Sequence, residues 1–532
     1  MPFGHVITGS SFTPMCDMLH CMQRIGRRLS GQLRGISPFA GDVRPTRVRL
    51  FSRGSPAPAL SPALRPTLPF PHPWNYREPI RILDTYFLGA DAEQGSGRHN
   101  RYLDVPGFAP VFVTRDPRII RAIATESGDR AGQFERDTLP SGGIARATGT
   151  DTLLYANGPM WKRQKKLSTP PFGRTTLFQP EQFEEFSKTF RQTARQRLEA
   201  IHRRLERAAA GCALRVRLEP EIKAVMLEML VNNFFGAEIS YEQIRDRYVP
   251  ALDRVIEHIV FDTVINKLGI PLARLPNFSR GIVETKKASA AFDQLTDLCI
   301  ATRKEGKGLW KQFKSDAPDR LLRSNIKVFL AGALEATTSY ASWAISHLAR
   351  NAAAQEKVFH EVKEIEEYTP ENLASAKFLG HVLDETLRLT PSLYFFPRKA
   401  TADTWIETTD GSKLMIPKGT HILLDVWHAN RHEDHWGVAV TGYPAIDFVP
   451  ERWKNVTADD RGSKDLLHFG FGHGPRFCPG KHLGQLEVGL VVGAFVKLFR
   501  FKAVNAENPA RAGVSTKPAD GVLVELELRE TH

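Results

Sequence analysis

The stretch Phe469–Glu487, FGFGHGPRFCPGKHLGQLE, constrains this chain more than any other. Glycines at 470, 472, 474 and 480 and prolines at 475 and 479 exclude a regular helix or strand there. They predict a tight loop whose backbone can approach a flat partner closely. Directly after it, LEVGLVVGAFVKLF (486–499) is apolar on every face, with Glu487 and Lys497 its only charges. Such a segment is a helix at the centre of a core rather than a membrane span. At 532 residues and 42% hydrophobic content, the chain can bury a helix all round.

The loop also holds Cys478, one of five cysteines. Cys16, Cys21, Cys212, Cys299 and Cys478 are odd in number and irregularly spaced. They form no disulfide framework and no CxxC zinc pattern, which points to a reducing compartment. No uncharged apolar run reaches membrane-spanning length.

Net charge is +13, unevenly spread. Residues 1–70 hold nine Arg, no Lys and two acids, Asp17 and Asp42, a balance of +7 that leaves +6 for the other 462 residues. With no Lys/Arg block interleaved with aromatics, nucleic-acid binding is disfavoured, and an acidic protein partner is the better use of the surplus. The Arg/Ser-rich start and the Pro-rich SRGSPAPALSPALRPTLPFPHPW resemble an organellar transit peptide with a linker. The alternative is a disordered extension on a cytoplasmic, bacterial-type protein, with no secretion signal in either case. Residues 1–70 are therefore expected to be an extension, and 71–532 the folded domain.

Within that domain, NRYLDVPGFAPVFVTRDPRIIRAIATE predicts two short strands turning at Pro106–Gly107, then a helix capped by Asp116 with Pro117 in its first turn. Long helical periodicities run over 180–210 and 321–362. Short strands follow Pro391 in TWIETTDGSKLMIPKGTHILLDV, and a last helix starts after Cys478. The expected fold class is mainly α with a minor β-sheet region, in one large domain. There is no GxGxxG fingerprint, P-loop or internal repeat.

A helix starting near Pro479 directs its amide dipole at the Cys478 sulfur, and Arg476 adds positive charge, so the sequence favours a thiolate that needs a cation. Phe471, Gly474, Arg476, Cys478 and Gly480 fit F-x-x-G-x-R-x-C-x-G, and here the chain resembles the cytochrome P-450 superfamily from about residue 75 to its end. A lone buried structural cysteine is the competing reading, and the upstream motifs argue against it. LDETLRLTP carries Glu385 and Arg388, spaced to pair on one helix face, and FVPERW carries Arg452; the resemblance implies a buried Glu–Arg–Arg triad beneath the haem loop. It also implies haem b held by Cys478, with Phe471, Gly472, Gly480 and Arg476 around it and Arg398 and Trp161 at the propionates. Lys165 stands where the family's W-x-x-x-R pattern has Arg, able to meet a carboxylate only as a point charge.

The helix carrying FLAGALEATTSY is expected to cross the oxygen side, with Gly332 and Ala336 sparing room for the haem. The family pattern is small-Gly-x-acid-Thr-Thr, and with Glu335 as the acid, Ala336 takes the usual Thr place. Thr337 is then the expected hydroxyl donor and Thr338 the fallback. The resemblance implies a monooxygenase acting on O2 and a small apolar organic substrate. Its electrons would come from a separate ferredoxin, flavodoxin or reductase, because the chain carries no motif for flavin, nicotinamide or iron–sulfur. A monomer is expected. A peroxide-using peroxygenase, a haem-thiolate isomerase or dehydratase, and a non-enzymatic haem sensor are the alternatives, Ala336 favouring the first.

Overall fold

The structure, a computed structural model, describes residues 95–529 apart from 104–110, 128–132, 139–141, 208–213, 265–271, 313–318, 367–368, 370–371, 373–374, 455 and 457–467; before these it describes residues 80, 83, 84, 87 and 91. The extension 1–70 and the turn at Pro106–Gly107 lie outside the described residues.

The longer helices are α1 Pro117–Glu126, α2 Gly142–Thr148, α3 Gly158–Ser168, α4 Pro180–Arg207, α5 Glu219–Glu228, α6 Val249–Val264, α7 Arg280–Lys304, α8 Asp319–Leu348, α9 Ala352–Val362, α10 Lys377–Leu389 and α11 Lys481–Leu498. Local chemistry accounts for several of their ends. Asp116 caps α1, its Oδ1 accepting from the N–H groups of Arg118 (2.9 Å) and Ile119 (3.2 Å), with Pro117 opening the helix. The periodicity over 321–362 divides into α8 and α9 at Asn351, whose side chain accepts from Ala354 N at 3.0 Å. That cap starts a new helix where pattern alone suggested continuity.

Leu322, Ile326, Leu330 and Leu334 form a buried i, i+4 ridge on α8 and join the main core with α10 and α11. α11 is buried over most of its surface, as its all-round apolar sequence requires.

Strands β1 (Asn100–Leu103), β2 (Val111–Thr114), β3 (Phe134–Arg136), β5 (Phe395–Ala400) and β8 (His421–Asp425) form one sheet in the order β1-β2-β8-β5-β3. Only β2 and β8 run parallel. β6 (Thr404–Glu407) and β7 (Lys413–Ile416) make a hairpin. β4 (Leu214–Arg217), β9 (Phe499–Ala503) and β12 (Leu523–Leu528) make a three-stranded sheet, and β10 (Ala510–Ala512) pairs β11 (Thr516–Pro518). The fold is mostly helical with small sheets. No helix among the described residues is long and apolar enough to cross a membrane.

Candidate active site

The loop before α11 folds back on itself: Gly472 N donates to Phe469 O and Cys478 N to Phe471 O, both at 2.8 Å. Gly474 is indispensable to this path. Its φ is +68°, and a Cβ there would lie 2.3 Å from Ala124 O at the end of α1. A Cβ on Gly480 would lie 3.8 Å from the Cys478 sulfur, so the small residue keeps that approach open. Burial pushes the Cys478 thiol up to about 11, against the opposing pull of the Gly480 N–H and Lys481. The charge of Arg476, expected to favour thiolate, is directed elsewhere: its guanidinium donates to Ser127 O, Ala156 O and Asn157 Oδ1. The protein alone thus leaves the sulfur protonated at neutral pH, and only a bound cation would hold it as thiolate.

Beneath the loop, Glu385, Arg388 and Arg452 are fully buried. Arg388 grips Glu385 with two bonds of 2.8 and 2.9 Å, and Arg452 Nε reaches Glu385 Oε1 at 3.3 Å. Sequence reasoning missed two further members. Trp453 Nε1 donates to Glu385 Oε2 at 3.0 Å. Asn430, whose carbonyl accepts from Arg388 at 2.7 Å, donates through its amide to His468 O, where the loop begins. The triad is thereby wired to the thiol loop through a backbone carbonyl.

Beside the loop lie three arginines. Arg136 on β3 and Arg398 on β5 are directly opposed in the strand register. Like charges so opposed repel. Among the described residues, none of Arg136, Arg398 and Arg476 makes a carboxylate salt bridge, and the Arg136 Nε is buried without a partner. Burial, reinforced by Arg136 and Arg476, holds Arg398 well below its ordinary range; burial and then Arg136 bring Arg476 down to about 9. Among the described residues, Arg398 donates to Ser127 Oγ and to its own strand's Pro397 carbonyl. Arg136 was not anticipated, because only the register of β3 on β5 reveals it.

Trp161 on α3 is buried, with the Arg476 guanidinium 4.5 Å from its ring centroid. Lys165, one turn on, lies 5.3 Å from the same ring centroid. Its ammonium donates to Pro475 O in the loop and lies 5.1 Å from the Phe477 ring centroid. Burial and Arg476 both lower it, and a loop carbonyl is the acceptor within reach.

On α8, Gly332, Ala333, Ala336 and Thr337 are open while Leu334, Glu335 and Thr338 are buried. A Cβ on Gly332 would meet nothing within 4 Å. Thr337 faces the thiol loop, its Cγ2 being 3.8 Å from a Cβ built on Gly484, which lies 3.9 Å from Phe471. Its hydroxyl donates to Ala333 O at 2.8 Å. Thr338 Oγ1 is buried without a partner. Glu335, expected beside these hydroxyls, shares the buried face with Thr338 and points away from Thr337. It accepts from Lys517 Nζ (2.9 Å to each oxygen) and Ser515 Oγ (2.9 Å), with Lys223 Nζ 3.2 Å away. Burial alone would raise its carboxyl, but Lys517 and Lys223 hold it at about 2. An acid so firmly ionised is poorly suited to pass protons at neutral pH.

A family model described as cytochrome P-450 matches residues 105–521. The chain belongs to the cytochrome P-450 family. It is 24% identical to zealexin A1 synthase of Zea mays over 76% of this chain and 79% of that one, and 26% identical to a cytochrome P-450 monooxygenase of Alternaria solani over 76% and 78%. A shorter match, 30% identical, joins it to (21S)-21-acetyl-1-hydroxy-apo-melianone synthase of Melia azedarach; there the aligned part is 37% of this chain and 39% of the relative. Members of the family are haem-thiolate oxidoreductases that bind haem b. The residues present fit that group: haem b carries two carboxylates, and buried Arg398 with half-buried Arg136 and Arg476, all lacking carboxylates, lie in and beside the loop. Phe396 links the two features, lying two residues from Arg398 with its ring tip 4.0 Å from a Cβ built on Gly472. Uncompensated buried charges cost several kcal/mol each, which the propionates would offset.

Proposed function

We propose that this chain is a monooxygenase that inserts one oxygen atom from O2 into a small apolar organic substrate, with electrons from a separate protein donor. The observation that carries the reading is the meeting of a thiol-bearing glycine loop with buried Arg398 and half-buried Arg136 and Arg476, which have no carboxylate partner among the described residues. Cys478 ligates the iron as thiolate, and Arg136, Arg398 and Arg476 receive the propionates. When bound, the haem supplies the reductive activation of O2 that no side chain here can perform.

The chain's own residues do the rest. Gly332, Ala333 and Ala336 spare room on the open face of α8 and line it with apolar surface, which supports an apolar substrate. Thr337 holds a proton on its hydroxyl at the edge of that face, with the Ala333 carbonyl fixing its rotamer. Lys165 braces the loop at Pro475, and Trp161 shields Arg476 from water. Exposed Lys162, Arg163 and Lys166 on α3, with half-exposed Met160 and Phe477 nearby, suit an acidic donor such as a ferredoxin, flavodoxin or reductase. The protein acts as a monomer built on residues 71–532, in the cytoplasm.

One observation favours a second reading. With Glu335 held by Lys517 and Lys223, no acid of α8 stands ready to recharge Thr337, and a peroxygenase fed by peroxide needs no such relay. Reduced protein under carbon monoxide should show the far-shifted Soret band of thiolate ligation, lost in Cys478→Ser. An unchanged spectrum in that variant overturns the ligand. Turnover with a reduced donor, compared with turnover on peroxide alone, distinguishes the two readings.

A further inference from the structure

Away from the haem-binding residues, three buried histidines converge. His99 follows a single 3-10 turn (Gly95–Arg98) and immediately precedes β1. His432 caps the one-turn helix Glu433–Trp436, and His435 lies within it. The i, i+3 spacing puts His432 and His435 on one face. Their ring centroids lie 4.6 Å (His99–His432), 4.8 Å (His99–His435) and 5.3 Å (His432–His435) apart. One ring nitrogen from each comes within 4.8 Å of the others.

Two of the three rings keep a nitrogen that the fold does not use. His99 Nε2 lies 3.3 Å from Asp434 Oδ2, so its proton belongs there and the lone pair is on Nδ1, which is buried with no hydrogen-bond partner. His435 Nε2 is likewise buried and unpartnered. His432 is engaged at both nitrogens, accepting the Asp434 N–H at Nδ1 (3.1 Å) and donating from Nε2 to Asp91 Oδ1 (3.2 Å). It therefore offers Nε2 to a metal only once its proton has shifted to Nδ1 and the Asp434 N–H bond has opened. Leaving two imidazole nitrogens dry and unbonded costs free energy that a shared ligand would recover.

We propose that His99, His432 and His435 bind a divalent zinc ion, with Asp91 or water as fourth ligand, as a structural clamp separate from the haem. Three imidazoles and an oxygen suit zinc, and Asp434 behind His99 is the carboxylate that orients a metal-bound histidine. Zinc–nitrogen bonds of about 2.0–2.1 Å require the three nitrogens to draw in to roughly 3.3 Å, a movement of side chains alone. The neighbouring cations do not oppose the ion unmatched: Arg115 pairs with Asp91, and Arg98 with Asp434. The clamp ties the leading edge of the sheet to the segment beneath the triad, since Trp436, next to His435, gives its carbonyl to Arg452 at 2.8 Å.

The test is elemental analysis of the purified, haem-loaded full chain, followed by titration with zinc sulfate after dialysis against dipicolinate. About one zinc per chain is expected beside the haem iron, with zinc K-edge absorption showing nitrogen-rich coordination. Dialysis should lower the melting temperature and zinc sulfate restore it. His99→Gln and His435→Gln should each cut zinc content at least tenfold while keeping the thiolate Soret band. The proposal fails if the wild type neither holds zinc nor gains melting temperature on titration, or if zinc persists undiminished in both variants.

Discussion

Replacing Glu335 with Gln separates a structural acid from a proton-passing one. The substitution keeps the volume but removes the charge that answers two buried ammonium groups. Lys223 retains Asp253, so the orphan is Lys517, whose only carboxylate hydrogen-bond partner among the described residues is Glu335. The drop of the Glu335 carboxyl from 4.5 to about 2 corresponds to about 3 kcal/mol of preferential binding of the ionised form. Breaking a buried pair costs a similar ~3–5 kcal/mol. Glu335→Gln should therefore lower the melting temperature by about 5 °C. Glu335→Leu combined with Lys517→Met should recover at least half of that, because well-packed apolar residues replace a buried pair at little cost. Melting of the haem-loaded proteins by circular dichroism at one scan rate gives both numbers. Because Glu335 faces away from Thr337, product formed per electron pair should be unchanged in Glu335→Gln, whereas Thr337→Ala should release peroxide. A single variant as stable as wild type, or a double variant no better than the single, refutes the ion-pair reasoning. Peroxide release from Glu335→Gln itself would restore Glu335 to the relay.

Glu385→Ala removes the acceptor shared by Arg388, Arg452, Trp453 and the Val449 N–H. It should cost roughly 3–5 kcal/mol and abolish stable haem loading, read as the haem-to-protein ratio. Arg398→Met should weaken haem retention about tenfold or more, the equivalent of about 1.4 kcal/mol, while leaving the haem-free protein no less stable. Against the burial that would lower it, Asp425 and Asp84 raise His428 to about 9, each carboxylate lying 2.6 Å away. A folded value above the ordinary 6.5 means that its contribution is complete below pH 6.5 and lost as pH rises through 9. Melting temperature should thus fall more over that window in wild type than in His428→Gln.

What was legible beforehand was mostly local. The Asp116 cap, the all-round apolar α11 and the glycine loop are properties of neighbouring residues, and periodicity and turn chemistry report them. The spacing of Glu385 and Arg388 is equally local, and the two are bonded in the structure. What could not be read depends on distant parts of the chain. Glu335 is answered by Lys223 and Lys517, over a hundred residues away on either side, so its direction off α8 could not follow from the helix alone. Arg136 acquires its place only through the pairing of β3 with β5. Lys165 binds the Pro475 carbonyl, a partner over three hundred residues away that no local pattern reports. Trp453 and Asn430 carry no motif, and contact alone identifies them.

The opposition of Arg136 and Arg398 has a consequence for assembly. β3 is an edge strand of three residues, and its pairing with β5 sets guanidinium against guanidinium. Without a dianion, that edge pairing works against the repulsion of two like charges. With one, the repulsion becomes a two-sided grip, and mass action transfers the binding free energy to the fold. Loss of haem should therefore loosen the pairing of β3 with β5 before it loosens the helical core.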